Sequence, residues 1–66
     1  MKIKLNGQNK EFSTSPKLQE IITRFCKNSQ MVIAEVNGAI VDRPQWGQKN
    51  IEDGDCIELV SFVGGG

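Results

Sequence analysis

Apolar and polar residues alternate at the start of the chain. Ile3 and Leu5 are interleaved with Lys2 and Lys4, the period of two expected of a half-buried strand. Asn6-Gly7 follows, a pair that tolerates positive φ and so favours a tight two-residue hairpin turn. That turn sets Lys2 opposite Glu11 on the solvent face, a favourable cross-strand pair. It also sets Lys10 beside Ile3 on the inner face, which requires Lys10 to lie at an edge with its amine near water. The period then changes. Leu18, Ile21, Ile22 and Phe25 recur at the spacing of one helical face. Ser15 is the expected N-cap and Pro16 the first helical residue. Arg24 and Lys27 suit the negative end of the helix dipole, and Asn28 and Ser29 are expected to close the helix.

Alternation returns in MVIAEVNGAIV. Val32, Ala34 and Val36 face one way, Ile33 and Glu35 the other, and Asn37-Gly38 turns the chain into Ala39–Val41. Residues 42–47 read as an irregular connection whose Trp46 covers one end of the core. Glu52-Asp53-Gly54-Asp55 is a turn, and 56–63 is the last strand. One helix and four to five strands make an α+β domain of two layers, the helix across one face of a mixed sheet. A last strand inserted centrally, parallel to the first, gives the β-grasp arrangement familiar from ubiquitin. The expected division is a β-grasp domain over 1–63 and a flexible glycine tail over 64–66.

With 66 residues there is room for one domain and a small core. Eight basic and eight acidic residues cancel, which argues against nucleic acid as the main partner. No signal-peptide pattern and no apolar run of about 20 residues is present, so the expected location is the cytoplasm, with no membrane contact. Cys26 and Cys56 are isolated and histidine is absent, so no metal site is expected. The commonest general base is missing too, and nothing pairs a nucleophile with a base. The chain is expected not to be an enzyme, and to bind no cofactor itself.

The last strand carries the candidate chemistry. Ile57 and Leu59 belong to the core. Val60 and Phe62 point to the open face, next to Ile33 and Glu35 of the middle hairpin, as a small partner-binding patch. Gly64, Gly65 and Gly66 follow directly. Three extended residues without Cβ atoms reach about 10 Å through a narrow slot. They would carry the Gly66 carboxylate into another protein's active site, with the patch supplying the affinity. A carboxylate needs activation before acyl transfer. Adenylation by ATP supplies a leaving group, and a sulfur nucleophile then yields a thioester or a thiocarboxylate.

Taken together, Asn37-Gly38, Ile40-Val41, Arg43, Trp46, Asp53-Gly54-Asp55, the strand from Ile57 to Val60 and the terminal Gly65-Gly66 resemble the ThiS family of sulfur carriers in thiamine biosynthesis. The likeness spans nearly the whole chain. Asp42 departs from it, standing where many members have proline before the arginine. The resemblance implies a carrier that serves enzymes as co-substrate. A ThiF-type adenylyltransferase would adenylate Gly66 with ATP and magnesium. A cysteine-desulfurase route would deliver sulfur as a persulfide, giving a thiocarboxylate. Thiazole synthase, ThiG, would take that sulfur. Val60 and Phe62 would contact both partners, and the glycines would thread into each.

Three other functions fit parts of the pattern. The small, MoaD-like subunit of molybdopterin synthase shares fold and tail, but those proteins tend to end in P-x-x-G-G, and Ser61-Phe62-Val63 precedes the glycines here. A ubiquitin-like modifier would form adducts with lysines. A plain interaction domain would not need Gly66.

Overall fold

Asn6 and Asn37 both adopt positive φ, 50° and 53°, and each is followed by a glycine at φ 81° or 85°. Consecutive positive φ values twist a two-residue turn in the hand that matches paired strands. The two turns close two hairpins: β1 (Lys2–Leu5) with β2 (Gln8–Glu11), and β3 (Val32–Val36) with β4 (Ala39–Val41). This computed structural model describes residues 1–61, except for the Ser29 side chain. Phe62, Val63, Gly64, Gly65 and Gly66, and with them the expected domain boundary after residue 63, lie outside the described residues.

The last strand, β5 (Cys56–Ser61), enters between the hairpins and makes one sheet in the order β2-β1-β5-β3-β4. It runs parallel to β1 and antiparallel to β3. The single α-helix, α1 (Leu18–Phe25), packs on one face, giving the two-layer α+β architecture expected from the pattern. Ile3 and Leu5, Val32, Ala34 and Val36, and Ile57 and Leu59 turn inward against Leu18, Ile21 and Ile22. Full burial of each such aliphatic side chain contributes about 1.5–3 kcal/mol. Trp46 closes one end at 1% exposure, and its Nε1–H donates to the Val41 carbonyl at 2.9 Å. Ile51, isolated among polar residues, is fully buried as well.

Both ends of α1 differ from the sequence expectation. Ser15 is not the N-cap, and Pro16 is not helical; Lys17 holds the cap position. The Ser15 hydroxyl donates instead to the Ile51 carbonyl, and Ile51 N–H donates to the Pro16 carbonyl at 3.0 Å. The first helical donors are met by a distant loop. Leu18 N–H reaches the Lys49 carbonyl at 2.8 Å, and Gln19 N–H reaches Trp46 at 3.0 Å. With those donors satisfied, no serine cap is required. Glu20 reaches back to the Lys17 N–H at 3.1 Å.

At the other end the helix stops at Phe25, because Cys26 is extended at φ −122° and ψ 133°. Asn28 does not close the helix. It caps a 3₁₀ turn, Ser29–Met31, by accepting from Gln30 N–H at 3.1 Å. Phe25 is 40% exposed and forms an aromatic shelf at the helix end. Lys10, which pairs with Ile3 on the inner side of β2, sets its amine 5.4 Å from the centre of that ring. The expected Lys2–Glu11 pairing is present.

Candidate functional site: the open face of the sheet and the last strand

The face of the sheet opposite α1 has an apolar side and a polar side. Antiparallel pairing places Val60 directly opposite Ile33, and Glu58 opposite Glu35. The next strand places Ile40 opposite Glu35, so Ile40 is the diagonal neighbour of Ile33. Val60, Ile33 and Ile40 are 52%, 40% and 64% exposed, while Glu35 is half-buried. The structure thus brings together three of the expected patch residues, Val60, Ile33 and Glu35. The fourth, Phe62, and the tail residues Gly64, Gly65 and Gly66 fall outside the described residues.

Ile40 is the member that sequence reasoning missed. The signal was available, because a two-residue Asn37-Gly38 turn fixes Glu35 opposite Ile40 and so turns Ile40 outward. Ile33, Ile40, Val41, Arg43 and Trp46 also border a groove of about 290 Å³ at the β4 edge. There the Arg43 guanidinium stacks 5.7 Å from the Trp46 ring centre and donates to the Gln30 carbonyl at 2.7 Å. On the polar side, Lys4 stands beside Cys56.

The backbone of β5 is held along its length. Asn37 Oδ1 accepts from Cys56 N–H at 2.9 Å, and Asn37 N–H donates to the Cys56 carbonyl at 2.7 Å. The Asp55 carboxylate accepts from Asn37 Nδ2 at 3.0 Å and from Glu52 N–H at 2.8 Å, which shapes the turn into the strand. Asp53 accepts from Lys2 N–H at 2.6 Å, tying that turn to β1.

Where β5 ends, the core side is open. A cleft of about 410 Å³ lies between the C-terminal end of α1 and the strand, bordered by Leu5, Phe25, Cys26, Leu59 and Ser61. Cys26 is half-buried, and burial pushes its thiol pKa up, away from the reactive thiolate. Cys56 is exposed on the opposite face. Among the described residues, no group of three or more His, Cys, Asp or Glu is placed to hold a metal ion. No helix among them is long and apolar enough to cross a membrane.

The architecture and sequence have close counterparts. The crystal structure of a thiamine biosynthesis protein (ThiS) from Geobacter metallireducens superposes with a TM-score of 0.85 at 26% identity, covering 100% of both chains. The sulfur carrier protein ThiS of Escherichia coli (strain K12) is 29% identical, again over 100% of both chains. A thiazole synthase of Paramagnetospirillum magneticum (strain ATCC 700264 / AMB-1) is 35% identical over all 66 residues, and the chain spans 20% of that protein's length. The ThiS family model matches residues 3–66. With the β-grasp sheet, the central last strand and an end-to-end match in agreement, the chain belongs to the ThiS family.

Proposed function

We propose that this chain is the sulfur carrier that supplies thiazole formation in thiamine biosynthesis. The observation that carries the reading is the match to a sulfur carrier protein ThiS over the full length of both chains. In this role the chain is a protein co-substrate of cytoplasmic enzymes. The Gly66 carboxylate attacks the α-phosphate of ATP, held with magnesium by a ThiF-type adenylyltransferase, and pyrophosphate leaves. A sulfur nucleophile then attacks the Gly66 carbonyl and AMP leaves. Where that nucleophile is a persulfide from a cysteine desulfurase, thiol exchange at its S–S bond frees the thiocarboxylate.

The domain's contribution is presentation. Val60, Ile33, Ile40 and Glu35, continued by Phe62, form the docking face. Gly64 and Gly65 thread into the partner, where their missing Cβ atoms leave room. Ordering three glycines costs about 1–2 kcal/mol each, so affinity must come from the face. A thiazole synthase that contains a stretch matching this whole chain supports that enzyme as the recipient.

The test is intact-protein mass spectrometry after incubation with ATP, magnesium, the adenylyltransferase of the same genome and a persulfide donor. The mass rises by the difference between sulfur and oxygen, and the change maps to Gly66. Confirmed adenylation with no sulfur gained overturns the reading. Deleting Gly66 abolishes the gain and leaves the melting temperature unchanged, because a terminal residue contributes little to stability.

A further inference from the structure

The parallel ladder between β1 and β5 runs out before β5 does. Lys4 N–H donates to the Asp55 carbonyl and Asn6 N–H to the Ile57 carbonyl, each at 2.9 Å. At Asn6 and Gly7 the backbone then turns away into β2, while β5 continues to Ser61. The next rung has no β1 backbone to form it. The Asn6 side chain forms it instead: Nδ2 donates to the Leu59 carbonyl at 3.3 Å, and Oδ1 accepts from Leu59 N–H at 2.8 Å. A carboxamide carries the same donor and acceptor as a peptide group, so it can stand in for one.

The turn alone does not demand this residue. Asparagine, aspartate and glycine all suit the first position of such a turn. Aspartate lacks the donor and glycine lacks both groups, so it is the Leu59 rung that calls for asparagine. Leu59 is flanked by Glu58 and Val60, which face the open side, and the same strand leads on to Gly66.

We propose that Asn6 is a positioning residue for the chemistry at Gly66. It fixes β5 at Leu59, past the reach of the β1 backbone, and so sets the place from which the glycines leave the sheet. The inference rests on the sulfur-carrier function proposed above. Loss of the rung lets the end of β5 shift while the docking face stays in place. Misplacing a reacting group by about 1 Å can cost up to about 100-fold in rate.

The experiment uses the full chain with Asn6→Gly, Asn6→Asp and the control Asn37→Gly, which removes the corresponding side-chain bond at the start of β5. Amide exchange at Leu59 is followed by NMR. ATP–pyrophosphate exchange by the same-genome adenylyltransferase is measured against carrier concentration. In both Asn6 variants Leu59 exchanges faster, kcat falls about tenfold and KM stays within about twofold, the signature of lost alignment with docking preserved. Asn37→Gly keeps the wild-type kcat. Faster Leu59 exchange with unchanged kcat overturns the proposal, as does an equal loss in Asn37→Gly, which would mark a general loosening of the strand. If Asn6→Gly does not fold, Asn6→Asp gives the same decision, since it keeps the turn and loses the donor. The carrier function is judged separately, by whether the unsubstituted chain supports exchange at all.

Discussion

Glu35 stands directly opposite Glu58 across the β3–β5 pair, two like charges at facing positions in the middle of the sheet. Such a pair is destabilising, by an amount comparable to the 0.2–1 kcal/mol typical of favourable cross-strand pairs. Glu58→Gln is therefore expected to stabilise the fold by roughly 0.2–1 kcal/mol, read as a melting temperature higher by a few degrees. Thermal scans at low and high salt check it, because screening shrinks the gain. A lower melting temperature at low salt would contradict the repulsion.

Val60→Asp places a third carboxylate beside that pair and opposite Ile33. Val60 is half exposed, so the fold is expected to survive with a small change in melting temperature. Association with the adenylyltransferase is expected to weaken by at least about tenfold, or 1.4 kcal/mol, as for a residue at the centre of an interface. Calorimetric titration reads the affinity. Unchanged binding would move the docking face elsewhere on the molecule.

Trp46 is the largest fully buried side chain, and its indole N–H is bonded to Val41. Trp46→Phe leaves the Val41 carbonyl without that donor and the core short of volume. The expected cost is about 1–3 kcal/mol by urea unfolding. Trp46→Ala is expected to cost about 3–5 kcal/mol, comparable to the whole stability of a domain this small. A Trp46→Phe variant as stable as the parent would show that the bond is replaced by water at no cost.

The two thiols are expected to separate in labelling experiments. Cys56 is exposed and reacts first with a thiol reagent near neutral pH, while half-buried Cys26 lags. Burial raises the Cys26 pKa above its unfolded value, so the folded state holds that proton more tightly. The resulting stabilisation is present below the ordinary thiol pKa of about 8.5 and is lost as pH rises past the folded value. Cys26→Ser is expected to flatten that alkaline decline in stability. An identical decline in the variant would assign it to other groups.

Much of this architecture was legible because the local signals were strong and agreed with one another. Both Asn-Gly turns, the register that brings Lys2 to Glu11, and the inward alternation of Ile57 and Leu59 all follow from period and turn chemistry. The boundaries of α1 were not legible. Ser15-Pro16 has the local form of a helix start, but the Ser15 hydroxyl is engaged 36 residues away at Ile51. The burial of Ile51 was hidden in the same way, since its neighbours in sequence are polar and its neighbours in space are not. In the candidate site, Val60, Ile33 and Glu35 could be grouped by strand parity alone. Asn6 could not be assigned to Leu59, because its place in the turn already accounted for it.

The position of β5 between the two hairpins has a bearing on synthesis. Nothing else in the sheet joins β2-β1 to β3-β4. On the ribosome, the nascent chain therefore holds two separate half-sheets until residues 56–61 emerge, and contacts between positions some fifty apart form last. Any folding quality control on this protein is applied to its final strand, so a chain that fails to seat β5 stays visibly unfinished to chaperones and proteases.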